Sequence, residues 1–599
     1  MSSDTSATGE IPALEPETDP TAETDPTAET DPTAETDPTA PAAREASGLA
    51  ALAPGPARYV VAQSLVRAGP AEPEPAGHDH GRHEPTGHDL ITREPRGPGR
   101  GRSLTVAAAA GIGIAILIMI AASLVRSGWM RPPLVMPAAG PPWEIPIRHV
   151  SADLVTCALW LAALLGTGGV VAGLLAIHRG ARLSARILLV AGLITVAVLT
   201  VVPPAGSTDS LDYATYGRLL ALGHSPYVTT PAYLRHVHDA FAHSVPRVWD
   251  HYVSVYGPLA TMEQFLAAKL GGASAARITF WLKLWDSAAF AVVAVALDRL
   301  LCHNPAQRMR AHLLWTVNPL LLWDLVAAGH LDVLAVMAGL LGLLVLGEQP
   351  AAGRPGLVRV LAAGALLGLA ADIKIDYMLF GLGAAWALRR SLPALALAGA
   401  AALAVLVPSY AYFGTPAVRA LLSRRNQSSA DNFYRVFVPH GWHHDLGVIA
   451  TVLVVGVAIL ALRRLPQGAL TRPAIRPTVA LCAAWLFLWP YQLPWYDAMI
   501  ICVLILYPAS RLDWLVLGRL AAGTISNMPG NPYLRHSRLL LLTDHFAVRV
   551  LAPMVMLAAA IALVVLCLRG RWKLRDAPGP EHTALESAGL LPRAADPVS

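Results

Sequence analysis

The chain has 599 residues and a mass of 63.3 kDa; 54% of its residues are hydrophobic and 15% are charged. Soluble domains carry roughly 25% charged residues, so this composition excludes a small soluble enzyme, a fibrous protein and a secreted disulfide scaffold. The net charge of +5 is unevenly spread, because residues 1–50 hold twelve acidic residues and one arginine. The other arginines lie mostly in short loops between apolar runs, which is typical of membrane topology rather than of a nucleic-acid surface.

The chain divides into a polar tail, an apolar middle and a short polar end. Residues 1–103 are polar and proline-rich, and residues 17–40 repeat ETDPTA four times. Because such a segment cannot bury enough apolar surface to fold, we predict a disordered cytoplasmic tail over 1–103. Residues 104–570 are predicted to be the membrane domain and 571–599 a cytoplasmic C-terminal tail. No cleavable signal peptide is expected ahead of the first apolar run.

Apolar runs recur throughout the middle and predict an all-α membrane protein, a multi-pass helical bundle of about 12–14 transmembrane helices. The candidate spans lie near 104–125, 152–177, 187–202, 276–300, 312–329, 333–346, 357–373, 377–388, 392–410, 446–462, 477–490, 498–510, 512–524 and 546–568. Arginine-bearing loops alternate along the chain, so the positive-inside rule places both termini in the cytoplasm. The long loops 203–275 and 411–445 then face outward, and long loops on a rigid scaffold commonly carry binding and catalytic residues.

The first long loop opens with a helical pattern that carries candidate catalytic groups. Asp209, Tyr213 and Tyr216 share one face of this helix. Residues 207–208 suit its N-cap, and Gly223 suits its stop. We expect an amphipathic helix that presents a carboxylate at the lipid–water boundary. The alternative is that the aspartate stabilises the helix dipole while the tyrosines anchor the interface.

Further polar groups are predicted at the same membrane face. They are the segment GHLD at 329–332, the cluster Asp372, Lys374 and Asp376, the pair Trp495 and Tyr496, and the outer-loop residues Arg424, Arg425, Arg435, His440, His443 and His444. An ionisable residue within a span costs ~2.5–3.5 kcal/mol, so it needs a partner or a function. Mutual neutralisation is favoured for Lys283 with Asp286 and is an open alternative for the 372–376 cluster. The two aromatic residues suit either an interfacial belt or a sugar-binding surface. A carboxylate, a lysine, histidines, arginines and aromatics at one face suit sugar transfer from an anionic lipid, which needs a base and cations.

Several of these segments resemble the sequence motifs of a known family. Residues 209–227 (DSLDYATYGRLLALGHSPY) match the pattern D-x-x-x-Y-x-x-x-G-R-x-x-x-x-G-x-x-P-Y, which is similar to a signature of the GT-C superfamily of membrane glycosyltransferases. More narrowly, the segment resembles the bacterial polyprenyl-phosphomannose-dependent α-(1→6)-mannosyltransferases. Further matches follow in the same order, at 256–259 (YGPL), 318–320 (NPL, where a kink is predicted), 329–332 (GHLD), 368–376 (GLAADIKID) and 490–496. The resemblance covers about 187–510.

The resemblance implies an inverting hexosyltransferase of GT-C type with extracytoplasmic catalytic loops. The donor would be a polyprenyl-phosphate sugar, mannose by resemblance, and the acceptor a glycolipid or cell-envelope glycan outside the cytoplasmic membrane. The family's general base falls on Asp209, with Asp212 as an extra carboxylate, and the lipid phosphate would leave near Lys374 and His330. The substrate-binding residues implied or suggested are Tyr213, Tyr216, Arg218, His330, Asp332, Lys374, Trp495 and Tyr496. We predict no metal site, no cofactor and no nucleic-acid partner.

Two other functions fit parts of the sequence. Many spans and buried charges also suit a transporter or a flippase of lipid-linked sugars, and a non-catalytic relative in envelope assembly is a third possibility. An alternating-access transporter places its ionisable groups near the bilayer midplane on related repeats. Here the charged groups cluster at the outer ends of the spans without an internal repeat, which favours the transferase. The residue pattern alone leaves open whether Asp209 or Asp212 is the base.

Overall fold

A computed structural model describes residues 99–572, apart from 126–133, 146, 148–149, 182–183, 248, 348–355, 424–425, 467–471 and 529–537. The ETDPTA repeats and most of the predicted N-terminal tail lie outside the described residues, as does the predicted C-terminal tail beyond Trp572. The first helix begins at Gly99, so the helical domain starts a few residues before the predicted end of the tail at 103.

The described residues are helical, with no named strand among them, and the predicted all-α class is confirmed. The helices are α1 (Gly99–Leu124), α2 (Ala152–His178), α3 (Ala185–Val201), α4 (Asp209–Ala221), α5 (Tyr233–His236), α6 (Pro258–Gly271), α7 (Ala275–Leu300), α8 (Pro305–Ala311), α9 (Pro319–Leu321), α10 (Asp332–Leu346), α11 (Leu357–Ile373), α12 (Met378–Leu388), α13 (Leu392–Phe413), α14 (Thr415–Leu422), α15 (Phe433–Phe437), α16 (Leu446–Arg464), α17 (Ile475–Leu488), α18 (Asp497–Leu504), α19 (Arg511–Asn527), α20 (Arg538–Leu542) and α21 (Ala552–Arg569). Short 3₁₀ turns lie at Ala242–Ser244, Ile375–Tyr377, His440–Asp445 and Pro494–Tyr496, and π-helical segments at His312–Thr316, Leu322–Ala327 and Thr543–Leu551.

Every predicted span overlaps a helix, although α18 ends six residues before the predicted end of its span at 510 and the span 312–329 is broken into short helical segments. Helices are expected here because backbone groups in lipid must bond within their own segment. Six helices among the described residues are long and apolar enough to cross a membrane: Gly101–Leu124, Asp153–His178, Ala275–Leu300, Leu392–Phe413, Leu446–Arg464 and His545–Arg569. A bent pair of helices adds a seventh if it is counted as one span, and four further apolar helices are shorter. The multi-pass class is thus confirmed, while the number of 12–14 stays a prediction.

The bent pair contains the predicted kink and forms a corner near the site. Pro305–Ala327 and Asp332–Leu346 meet at an angle of 115°. The Asn318 side chain accepts a hydrogen bond from the Leu320 N–H at 3.2 Å, so it restarts the helix after the break. Gly329 adopts φ +72°, a left-handed conformation that a residue with a Cβ rarely takes. The corner therefore places His330 and the first residue of α10 together.

α4 is an enclosed helix rather than the amphipathic surface helix expected from the sequence. Nine of its residues are buried, among them both tyrosines on the predicted face. A Cβ on Gly217 would lie 2.1 Å from the Gln264 carbonyl oxygen of α6, so only glycine allows the two backbones to come this close. The helix ends as predicted, since Gly223 follows the Leu222 C-cap with φ +89°. The polar face of α4 thus points into the protein.

Small residues at and just before the GLAADIKID segment allow α11 to pack closely against α13. A Cβ on Gly368 would meet the Ala402 backbone of α13 at 2.7 Å, and one on Gly364 would meet the Ala398 carbonyl oxygen at 2.3 Å. Glycines four residues apart let helices approach closely in membranes. The end of α11, where Lys374 follows, is therefore held against α13 at short range.

The expected neutralisation between Lys283 and Asp286 does not occur directly. The Lys283 ammonium instead donates to the carbonyl oxygens of Leu199 and Val202, at 2.6 and 2.9 Å. These carbonyls lie at the end of α3, where no helical N–H remains to bond them. The lysine consequently ties α7 to the end of α3, beside the site.

Candidate active site

A cavity of about 320 Å³ lies where the two long loops meet the break between α11 and α12. Its lining residues are Asp209, Asp212, Tyr216, Trp249, Tyr252, Val253, Val255, Tyr256, Lys374, Ile375, Asp376, Leu421, Leu422, Gln427, Trp489, Tyr491, Leu493, Trp495 and Tyr496. Six of the predicted site residues are among them. Carboxylates and a lysine thus share one aromatic-walled space, as a site for a sugar phosphate requires.

Asp209 presents its carboxylate to the cavity from the first residue of α4. The Ser207 hydroxyl accepts a hydrogen bond from the Asp209 N–H at 3.1 Å, which supports the start of the helix. The Asp209 side chain is 19% exposed, and its Oδ2 lies 3.6 Å from His330 Nε2. A carboxylate at this position is favoured by the helix dipole, and it is also accessible to a molecule in the cavity.

Asp212 lies one helical turn further on and differs in its surroundings. It is only 5% exposed, and its Oδ1 has no hydrogen-bond partner among the described residues. Burial, and secondarily the charge of Asp209, raise the pKa of Asp212 well above its usual range. The charged form of Asp212 is therefore disfavoured, and its side chain is more enclosed than that of Asp209.

His330 lies behind the cavity rather than in its wall. Its Nδ1–H donates to the Asp324 carbonyl oxygen, and its Nε2 lies 3.2 Å from the Ser207 hydroxyl. The ring stacks on Trp495, with centroids 3.7 Å apart and planes at 17°. Since a carbonyl can only accept, Nδ1 carries the proton and Nε2 faces Ser207 and Asp209. His330 thus touches the candidate base, and it is completely buried.

Lys374 reaches the cavity from the break between α11 and the 3₁₀ turn Ile375–Tyr377. Its ammonium lies 2.8 and 3.0 Å from the two carboxylate oxygens of Asp332. It also lies 3.7 Å from the centre of the Tyr496 ring, a cation–π distance. Tyr496 in turn meets Trp495 edge to face, with centroids 6.3 Å apart. The cation, its counter-ion and two aromatic rings form one connected group.

Tyrosines from the first long loop complete the wall. The Tyr216 hydroxyl donates to the Tyr252 carbonyl oxygen at 3.1 Å. Tyr213 does not line the cavity; it packs edge to face behind Tyr256, with centroids 5.0 Å apart. Burial raises the pKa of both Tyr213 and Tyr256 well above the usual range, so both phenols stay neutral. Tyr213 thus supports the wall from behind.

Arg218, expected to shape the pocket, points elsewhere. Its guanidinium donates to both carboxylate oxygens of Asp239, at 3.2 and 2.7 Å, and it is not among the cavity-lining residues. Burial acts to raise the pKa of Asp239, but the hydrogen bonds from Arg218 and from the Phe241 N–H outweigh it and hold that pKa below its usual value. This planar two-bond geometry closes the loop after α4 and keeps the Arg218 guanidinium out of the cavity.

Several lining residues were not on the predicted list. They are Trp249, Tyr252, Tyr256, Asp376, Gln427, Trp489 and Tyr491. The sequence indicated a site role for Asp376, because its carboxylate lies two residues from Lys374. It indicated such a role less clearly for the aromatic residues, because aromatics in an outer loop equally suit a membrane interface. Two of the lining leucines, Leu421 and Leu422, belong to α14, and the sequence did not distinguish them from lipid-facing residues.

The described part of the chain contains no group of three or more His, Cys, Asp or Glu side chains placed to hold a metal ion. The cavity instead combines three carboxyl groups, those of Asp209, Asp212 and Asp376, with a paired ammonium and an aromatic wall. Such a set can remove a proton from a hydroxyl, balance charge on a nearby phosphate and stack against sugar rings.

The comparisons with known proteins agree with this chemistry. Residues 109–390 match a family model described as alpha-(1->6)-mannopyranosyltransferase, N-terminal domain. No curated protein matches the chain. The matched residues include both aspartates of α4, the 329–332 corner and Lys374, while Trp495 and Tyr496 lie beyond them. Residues 109–390 of this multi-pass helical membrane protein are therefore similar to an alpha-(1->6)-mannopyranosyltransferase N-terminal domain, and the family resemblance seen in the sequence is confirmed over these residues.

Proposed function

We propose that the protein transfers a hexose, mannose in the first instance, from a polyprenyl-phosphate sugar to a hydroxyl of a glycolipid or cell-envelope glycan. The membership of residues 109–390 in a mannosyltransferase family supports the reaction class. The observation that carries the proposal is the accessible Asp209 carboxylate in the same cavity as Lys374.

In the proposed reaction the acceptor hydroxyl attacks the anomeric carbon in line with the bond to phosphate. Asp209 takes the proton of that hydroxyl as the new C–O bond forms, and the bond to the polyprenyl phosphate breaks with inversion. A base positioned in this way contributes about 10²–10⁴-fold. Asp212 is the less suitable base, because it is enclosed and its raised pKa disfavours the ionised form that accepts a proton.

The phosphate would leave beside Lys374, the one lysine or arginine that lines the cavity among the residues described. A cation placed where negative charge develops stabilises the transition state. The rings of Trp495 and Tyr496 beside it offer apolar faces on which a sugar can stack. The proposal therefore places the sugar phosphate between these rings and the start of α4.

We further propose that the cavity faces outward, with both termini in the cytoplasm. This rests on the alternation of arginine-bearing loops. Two of those arginines are weaker indicators than the sequence suggests, because Arg308 and Arg310 form ion pairs with Asp298 and Asp513. The two cavity-forming loops stay on one side in this topology, where an envelope acceptor would lie.

The test is a transfer assay with purified protein in detergent, radiolabelled polyprenyl-phosphomannose and a membrane glycolipid extract. Wild type is expected to move label to the extract, and Asp209→Asn to lose at least about 10³-fold in rate, because the isosteric amide cannot accept the proton. Asp212→Asn is the matched control three residues away. It is expected to stay within about tenfold of wild type, since the replaced carboxyl is enclosed and its raised pKa disfavours the ionised form.

An active Asp209→Asn beside an inactive Asp212→Asn would move the base by three residues. If wild type transferred no label from mannose, glucose, galactose or arabinose donors, the proposed transfer would be wrong. A liposome assay of lipid translocation then distinguishes a flippase from a non-catalytic relative.

A further inference from the structure

We propose that Asp332 is a positioning residue that holds the Lys374 ammonium at the cavity wall without itself touching a substrate. The inference rests on the proposed function, in which Lys374 meets the donor phosphate. It reassigns Asp332, which the sequence placed among the substrate-binding residues.

The backbone alone does not fix the Lys374 side chain. The residue is extended, with φ −152° and ψ 122°, between the end of α11 and the turn that precedes α12. A lysine carries its charge on a flexible four-carbon stem, so the ammonium needs partners to stay in one place. Both oxygens of Asp332 and the Tyr496 ring supply them.

Asp332 is fixed from several sides. It is the first residue of α10, where the helix dipole favours a negative charge. The Tyr377 hydroxyl donates to its Oδ1 at 3.3 Å. The 115° corner before α10 brings the carboxylate to Lys374, which lies 42 residues further along the chain. The carboxylate is thus a rigid anchor for a flexible cation.

The two partners differ in their access to the cavity. The Asp332 side chain is 0% exposed and does not line the cavity, whereas the Lys374 side chain is 9% exposed and does. An ammonium has three N–H donors, and two contacts to one carboxylate leave a donor for an oxygen of a bound phosphate. A pair that served only to neutralise buried charge would not need its cation at the cavity surface.

The experiment compares Lys374→Met, Asp332→Asn and the double variant in the transfer assay, with donor KM and kcat measured separately and thermal unfolding followed in parallel. Lys374→Met is expected to lower kcat/KM for the donor about 100-fold, as loss of a charge-assisted phosphate contact does. Asp332→Asn is expected to raise donor KM about tenfold and to change kcat less than about threefold.

The double variant separates positioning from stability. Removing one partner leaves a buried charge unpaired, while removing both relieves this, so the double variant should recover thermal stability yet keep the donor KM of Lys374→Met. Asp239→Asn, which breaks the Arg218 pair away from the cavity, is the control and should leave donor KM unchanged. A wild-type donor KM in Asp332→Asn would overturn the positioning role alone, whereas a wild-type donor KM in the double variant would show that Lys374 does not bind the donor. An inactive wild type would overturn the proposed function and this inference with it.

Discussion

Two helices that pack against α7 differ in how their charged side chains are paired: α8 at the far end of α7, and α4 at the cavity end. At the end where α7 stops, all five N–H donors of Arg310 are used, on both oxygens of Asp513 and on the carbonyls of Leu504, Ile505 and Tyr507. At the end where α7 begins, Asp209 keeps a partly exposed carboxylate, with its nearest ionic partner 3.6 Å away. A buried charged group whose donors or acceptors are all paired holds helices together. A charged group exposed to a cavity is available for chemistry.

The neighbouring network at the far end follows the same rule. Asp298 accepts from the Arg308 guanidinium at 2.6 and 2.8 Å and lies 2.9 Å from His312 Nε2. His312 Nδ1 in turn lies 3.0 Å from the Thr316 hydroxyl. No lining residue of the cavity belongs to this network. The network stabilises the start of the broken span at Pro305–Ala327. The 115° corner that follows lies at the cavity end.

The largest expected effect on stability concerns Arg310, at the far end of α7, where every N–H donor of the guanidinium is paired. Arg310→Met should lower the free energy of unfolding by about 3–5 kcal/mol, because it leaves Asp513 buried without its cation. Thermal unfolding of the purified protein measures this, and Arg310→Met/Asp513→Asn should recover much of the loss. The kcat of the protein that remains folded should be unchanged; a fall of more than about tenfold would mean that the far end also serves catalysis.

A smaller effect is expected where backbone contact positions the cavity. A Cβ on Gly257 would lie 1.4 Å from the Asp372 carbonyl oxygen, so Gly257→Ala must displace the chain just before Lys374. A misplacement of about 1 Å can cost about 10²-fold in rate, and we expect a loss of that order in kcat/KM. Gly456→Ala is the control, because nothing lies within 4 Å of its added Cβ. Equal activity of the two variants would show that the position of the Lys374 segment does not matter.

The smallest effect concerns pH at the cavity end. The raised pKa of Asp212 means that the folded state binds a proton which the unfolded state releases above about pH 4. Stability from this group therefore falls as pH rises from the unfolded value towards the folded one. Asp212→Asn removes this dependence, so its advantage in unfolding temperature over wild type should be larger at pH 8 than at pH 4.5. A difference that shrinks with pH would show that Asp212 is ionised in the folded protein.

Sequence alone was sufficient for the fold class and for the resemblance to a mannosyltransferase family. The apolar runs predicted helices at every span, because lipid leaves the backbone no partners outside its own segment. The order of motifs from 209 to 496 indicated the family. Both conclusions depend on local composition and spacing, which the chain carries without reference to its packing.

Tertiary structure decided which groups meet. Residues three apart share a helix face, so only the packing around α4 shows that Asp209 is open to the cavity while Asp212 is enclosed. Only the fold pairs Lys374 with Asp332 and brings His330 to Asp209, across 42 and 121 residues. Burial and counter-charge arise when distant segments come together, and these set what each ionisable group can do.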